Sequence, residues 1–166
     1  MTGAPAHLLA ATAAHAAFQA VVTAVVYPAL LEVPPDRWEA AHERHSRRTV
    51  RVVAPLYGLL LASCAATVVR RPRRPLALVA VAATGGALTT TALVAAPTHA
   101  ALGRHGPRPA LVARLRRWDR VRLACALLGV TAAGADRVIR RRDVQVRGRA
   151  WSAGPPTRHA GAEGPR

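Results

Sequence analysis

Three histidines carry the chemical potential of this chain. His42 and His45 lie in the segment WEAAHERHSRRTVRVVAPLY, residues Trp38 to Tyr57, and His99 lies in PTHAAL. Trp38, His42 and His45 are spaced by four and three residues, so a helix would put them on one face. Neutral imidazoles so grouped could pass protons, ligate a metal or haem iron, or hold an aromatic substrate. The plainer reading is that they hydrogen-bond loops at a wet interface. No HExxH, CxxCH or paired ExxH pattern narrows the choice, and the residues specify no cofactor.

Other polar residues could support such a site. His15 and Gln19 form an i, i+4 pair in an otherwise apolar stretch, so they should face a protein interior. They could serve a ligand or proton relay, or simply fix helix packing through a hydrogen bond. Asp119 and Arg122 are spaced i, i+3 and could pair. Tyr27 and Trp38 have the amphipathic character of membrane-interface residues, with a place in the site as the second reading. The working set is therefore His42, His45 and His99 as catalytic groups, with Tyr27, Trp38, Asp119, Arg122, His15 and Gln19 binding substrate. No metal-ligand set is assigned. Cys64 and Cys125 form no CxxC and read as small buried apolar residues.

The elements that must position these groups are apolar helices. Of the 166 residues 51% are hydrophobic but only 4% aromatic. Met1–Leu31, Val52–Val69 and Pro75–Gly103 contain no Asp, Glu, Lys or Arg, and each is long enough to cross a hydrocarbon core of about 30 Å. Leu123–Ala135 is a shorter charge-free run whose flanking Arg122 and Arg137 could snorkel. The expectation is an all-α, four-helix transmembrane bundle with helices near 7–31, 37–69, 75–102 and 110–138. Helices 2 and 4 would extend beyond the membrane, and a disordered Arg/Gly/Pro-rich tail would occupy 140–166. The N-terminus lacks a basic leader and reads as an uncleaved first helix.

The breaks between helices are chemically marked. Pro34 and Pro35 end the first, and Asp36 is the expected N-cap of the second. Pro55 should kink the second helix. The turn RRPRRP, residues Arg70 to Pro75, reads as a topology determinant. Gly85, Gly86 and Thr89 to Thr91 should let the third helix approach its neighbours closely.

The net charge of +16 comes from Arg, with no Lys, and concentrates between and after the apolar runs. That distribution suits anionic headgroups rather than nucleic acid. Expected partners are the lipid bilayer, a small-molecule ligand and, in an assembly, further copies of the chain. The Arg-rich turn and tail place both termini in the cytoplasm of a multi-pass cell-membrane protein.

Alternation of four helices brings Tyr27, Trp38, His42, His45, His99, Asp119 and Arg122 to one end. The layout resembles the anthrone-oxygenase-like membrane family through YPALL (Tyr27 to Leu31), PTHAAL (Pro97 to Leu102) and RLRRWDRVRLACAL (Arg114 to Leu127). The resemblance implies the four-helix fold and, for a few members, oxygenation of anthrones without a conventional cofactor. His99 stands where that family more often has Asn. Three functional readings follow: an oxidoreductase-like small-molecule site, a non-enzymatic packing module, and a membrane haem or metal protein.

Overall fold

The computed structural model describes residues 4–70 and 72–152 and contains, among them, four long helices and no strand. Helix α1 covers residues 4–31, α2 Trp38–Arg70, α3 Pro75–His105 and α4 Pro109–Ser152. The first three are long and apolar enough to cross a membrane. Helix α4 packs along both α1 and α3, α1 also packs on α2, and the α2–α3 seam is the lightest of the four.

Two of the helices carry the same interruption. Each passes through a five-residue π turn, Val22–Val26 in α1 and Thr91–Ala95 in α3. Each π turn is followed two residues later by a proline, Pro28 and Pro97. A proline has no N–H to give the carbonyl four residues back, and its ring crowds that carbonyl. Widening the preceding turn relieves the crowding. The amides of Tyr27 and Ala96 then bond five residues back, to Val22 and Thr91.

Packing divides into two apolar clusters. At the end where α1 finishes and α2 starts, Val22, Tyr27, Leu30, Trp38, Leu102 and Leu115 interlock. At the other end the cluster is built of smaller residues, Leu8, Ala77, Ala80, Ala132 and Ala133. Alanine at the facing positions lets α3 and α4 run close together. Hydroxyls within the helices, including Thr12, Thr67, Thr84 and Thr98, bond to carbonyls one turn back, so they expose no unpaired donor.

Three sequence expectations need revision. Asp36 lies inside a short 3-10 turn, Pro35–Arg37, and pairs with the exposed Arg37 rather than capping α2. Helix α4 does not end near 138 but continues through the first part of the expected tail to Ser152. The i, i+4 ion pair of Asp136 with Arg140 supports that continuation, and no Pro intervenes. The remainder of the expected disordered tail, 153–166, lies outside the described residues. Trp38 is not an exposed belt residue: it is 3% exposed, and its indole donates to the Leu102 carbonyl at 3.1 Å.

Candidate functional site

The polar residues of the α1/α2/α3/α4 end form one connected structure. Gln19 is fully buried on α1 and faces Asp119 and Arg122 of α4. Its amide Nε2 donates to Asp119 Oδ1 at 2.6 Å, and its Oε1 accepts from Arg122 Nη2 at 2.8 Å. Asp119 and Arg122 are themselves 3.6 Å apart. A carboxylate can only accept and a guanidinium only donate, so the two charges fix which way the Gln19 amide points.

Arg122 also reaches the chemistry-bearing residues. Its Nη1 donates to the Tyr27 hydroxyl at 3.4 Å, and that hydroxyl lies 3.2 Å from His99 Nε2. His99 Nδ1 is in turn 3.4 Å from His42 Nε2. The two imidazole contacts admit either donor direction, depending on the tautomers, and one assignment runs the length of the chain. Arg122 donates, so Tyr27 is free to donate its own proton to His99 Nε2. The neutral His99 then carries its proton on Nδ1 and presents it to His42 Nε2, which leaves the His42 proton on Nδ1. The two 3.4 Å contacts are long for hydrogen bonds.

His42 is held from two sides. Trp38 stacks on it with ring centroids 5.5 Å apart and planes 26° from parallel. Gly103 lies against its far edge, where a Cβ would stand 3.4 Å from Nδ1. His45 completes the cluster, 5.9 Å from His99 and 6.5 Å from His42 between ring centroids. Its polar neighbour is Thr49, whose hydroxyl is 3.5 Å from both ring nitrogens. Of the three imidazoles, His45 is therefore the least committed. Among the described residues no group of three or more His, Cys, Asp or Glu side chains is arranged to hold a metal ion.

These groups wall a cavity of about 470 Å3. Tyr27, His42, His45, His99 and Arg122 line its polar end. Phe18, Val22, Val53 and Ala95 make it apolar further in, and Tyr57 and Thr91, hydrogen-bonded at 3.1 Å, stand at the deep end. From Ser46 to Tyr57 along α2 the cavity runs about 16 Å, at about 1.5 Å per residue.

Of the expected set, Tyr27, His42, His45, His99 and Arg122 line the cavity, whereas Gln19 and Asp119 sit behind Arg122 and do not, and two others stand apart. His15 does not share the Gln19 network. It packs edge-on against Tyr57, centroids 5.8 Å apart, and its Nε2 has no hydrogen-bond partner among the described residues. Trp38 braces His42 and does not line the cavity. Sequence reasoning missed Ser46, Thr49, Tyr57 and Thr91. The first three continue the spacing of His42 and His45 down α2 in steps of one, three and eight residues, a stripe that could have been followed into the apolar run.

At the opposite end of the bundle Asp136 sits between Arg74 and Arg140, 3.5 Å from each. It ties the start of α3 to α4 and lies far along α4 from Asp119. Comparison with protein families, with curated proteins and with solved structures gives no match to this chain.

Proposed function

We propose that this chain is a multi-pass integral membrane protein, with α4 as a fourth crossing, that binds a small amphipathic molecule and takes a proton from it. The observation that carries the reading is the hydrogen-bonded chain Arg122–Tyr27–His99–His42 ending in the wall of a largely apolar cavity. His45 is the proton acceptor on this reading, because the other two imidazoles already spend a ring nitrogen on a neighbour. The anion left on the ligand would be stabilised by the donor end of the chain at His42 and by the buried Arg122 cation.

The ligand suited to this arrangement has a ring bearing an acidic hydroxyl or an enolisable carbonyl. Aromatic neighbours and imidazole edges favour a flat ring, and the polar atoms gather at one end. The likeness to the anthrone-oxygenase-like family fits here as a hypothesis about ligand: an enolisable aryl ketone would surrender its C–H proton to the same base. Both termini would lie on the cytoplasmic side, with the cavity's polar end facing outward.

The test uses 4-nitrophenol, whose ionised form is yellow, with protein in lipid nanodiscs. Bound probe should ionise at a pH about one unit below free probe, because a cation and a base face its oxygen. His45→Ala should retain the probe but lose the shift. Absence of binding, or an unshifted spectrum identical in parent and variant, would reject the proposal.

A further inference from the structure

The cavity has a side door, and its position says where the ligand comes from. Its floor is formed by α1, where Phe18 is half-buried and Val22 and Tyr27 are buried. The exposed lining residues all belong to the two helices that face one another across the lightest seam. They are Val50 of α2 and Ala96, Ala100 and Gly103 of α3. Ala96, Ala100 and Gly103 are spaced by four and three, so they make one lip of a slot along a single helix face. Val50, 63% exposed, stands on the other lip.

Every residue on these lips is apolar or has no side chain. The slot lies on the flank of helices long enough to cross a bilayer, where exposed Leu61 of α2 and Leu93 of α3 continue the apolar surface. Water gains nothing from such a mouth, whereas lipid chains do. At the slot's upper end Gly103 abuts His42, so anything sliding between the lips meets the histidines head first.

We infer that the ligand is a membrane-dissolved amphiphile, an oxygen-bearing aromatic ring with an apolar tail, which enters sideways from the lipid between α2 and α3. The ring occupies the histidine end and the tail lies along Ala96 and Ala100 into the bilayer. This inference rests on the binding reading above, and its test separates the two.

The experiment compares 4-nitrophenol with 2-decyl-4-nitrophenol in nanodiscs, following the colour change in rapid mixing. Ala100→Trp and Ala96→Phe fill the slot from exposed positions, so neither depends on repacking a core. Ala62→Trp, exposed on the side of α2 opposite Val53 and outside the cavity lining, controls for bulk in the lipid face. Binding of the decyl probe should slow about tenfold in each slot variant and not in the control. If both slot variants bind the decyl probe at the parent rate while the parent binds 4-nitrophenol, sideways access is wrong and the site stands. If the parent binds neither probe, the site reading falls and this inference with it.

Discussion

Arg122 of α4 grips Gln19 of α1 with two nitrogens, Nη2 at 2.8 Å and Nε at 3.3 Å, over a sequence separation of 103 residues. The same guanidinium lies 3.6 Å from Asp119 and 3.4 Å from the Tyr27 hydroxyl. One buried cation therefore joins the bundle's packing to the polar chain of the cavity. Removing it alone strands the Asp119 carboxylate in an apolar interior. Arg122→Met should cost about 3–5 kcal/mol. The triple variant Gln19→Leu/Asp119→Leu/Arg122→Met leaves no stranded group and should recover most of that loss. Thermal unfolding in one detergent compares them. A triple variant no more stable than the single would show that the polar network itself, rather than relief of an unpaired charge, holds α1 to α4.

His15 offers the opposite case. It is 1% exposed, and its Nε2 is unpartnered among the described residues. A buried polar atom without a partner costs about 1–3 kcal/mol. His15→Leu fills similar space without that atom, so it should raise the unfolding temperature. The network of Gln19, Asp119 and Arg122 should be untouched, since His15 takes no part in it. A lower unfolding temperature would mean that the imidazole earns its place through its contact with Tyr57.

What could be read from the sequence follows from the kind of signal each feature leaves. Charge-free runs and paired prolines mark helices directly, and α1 to α3 start and stop close to where those marks fall. Helix α4 was harder to end, because Arg-rich sequence supports either a solvated helix or an open chain. The convergence of Tyr27, His42, His45, His99 and Arg122 followed from helix alternation alone. Which of them touch did not. The burial of Trp38 depends on the Leu102 carbonyl, sixty-four residues away, and no local pattern carries that. The π turns were also silent: Pro28 and Pro97 were visible, but a proline can kink a helix or widen it, and neighbouring helices decide.

Pro97 tests that last point. Its missing amide leaves the π turn Thr91–Ala95, which sets how His99 is presented to Tyr27 and His42. Pro97→Ala restores a donor for the Leu93 carbonyl and lets the turn tighten toward α geometry. Tightening would rotate His99 relative to Thr91. Affinity for 4-nitrophenol should fall about tenfold or more, since misplacing a positioned group by an ångström has effects of that order. The unfolding temperature should stay level or rise. A variant that binds like the parent would show that neighbouring helices, not Pro97, maintain the π turn.

Helix α4 is the proposed fourth crossing, and its sequence argues against itself. Among the charges that interrupt its apolar character, Asp119, Arg122 and Asp136 are 3%, 5% and 8% exposed and paired, while Arg120 and Arg137 lie toward the ends of the apolar run. Charges turned into a bundle cost far less than charges turned toward lipid. At 44 residues α4 is about 66 Å long at about 1.5 Å per residue, enough to cross and project on the far side. With Cys64 and Cys125 replaced by alanine, single cysteines at His105→Cys and Gln145→Cys place one reporter at each end of the crossing. In sealed vesicles, a membrane-impermeant maleimide should label one from outside and the other only after permeabilisation. Labelling of both from the same side would leave three crossings and put α4 along the membrane surface. Asp119, Arg122 and the whole histidine chain would then need a different account, because the cavity closes only if α4 stands beside α1.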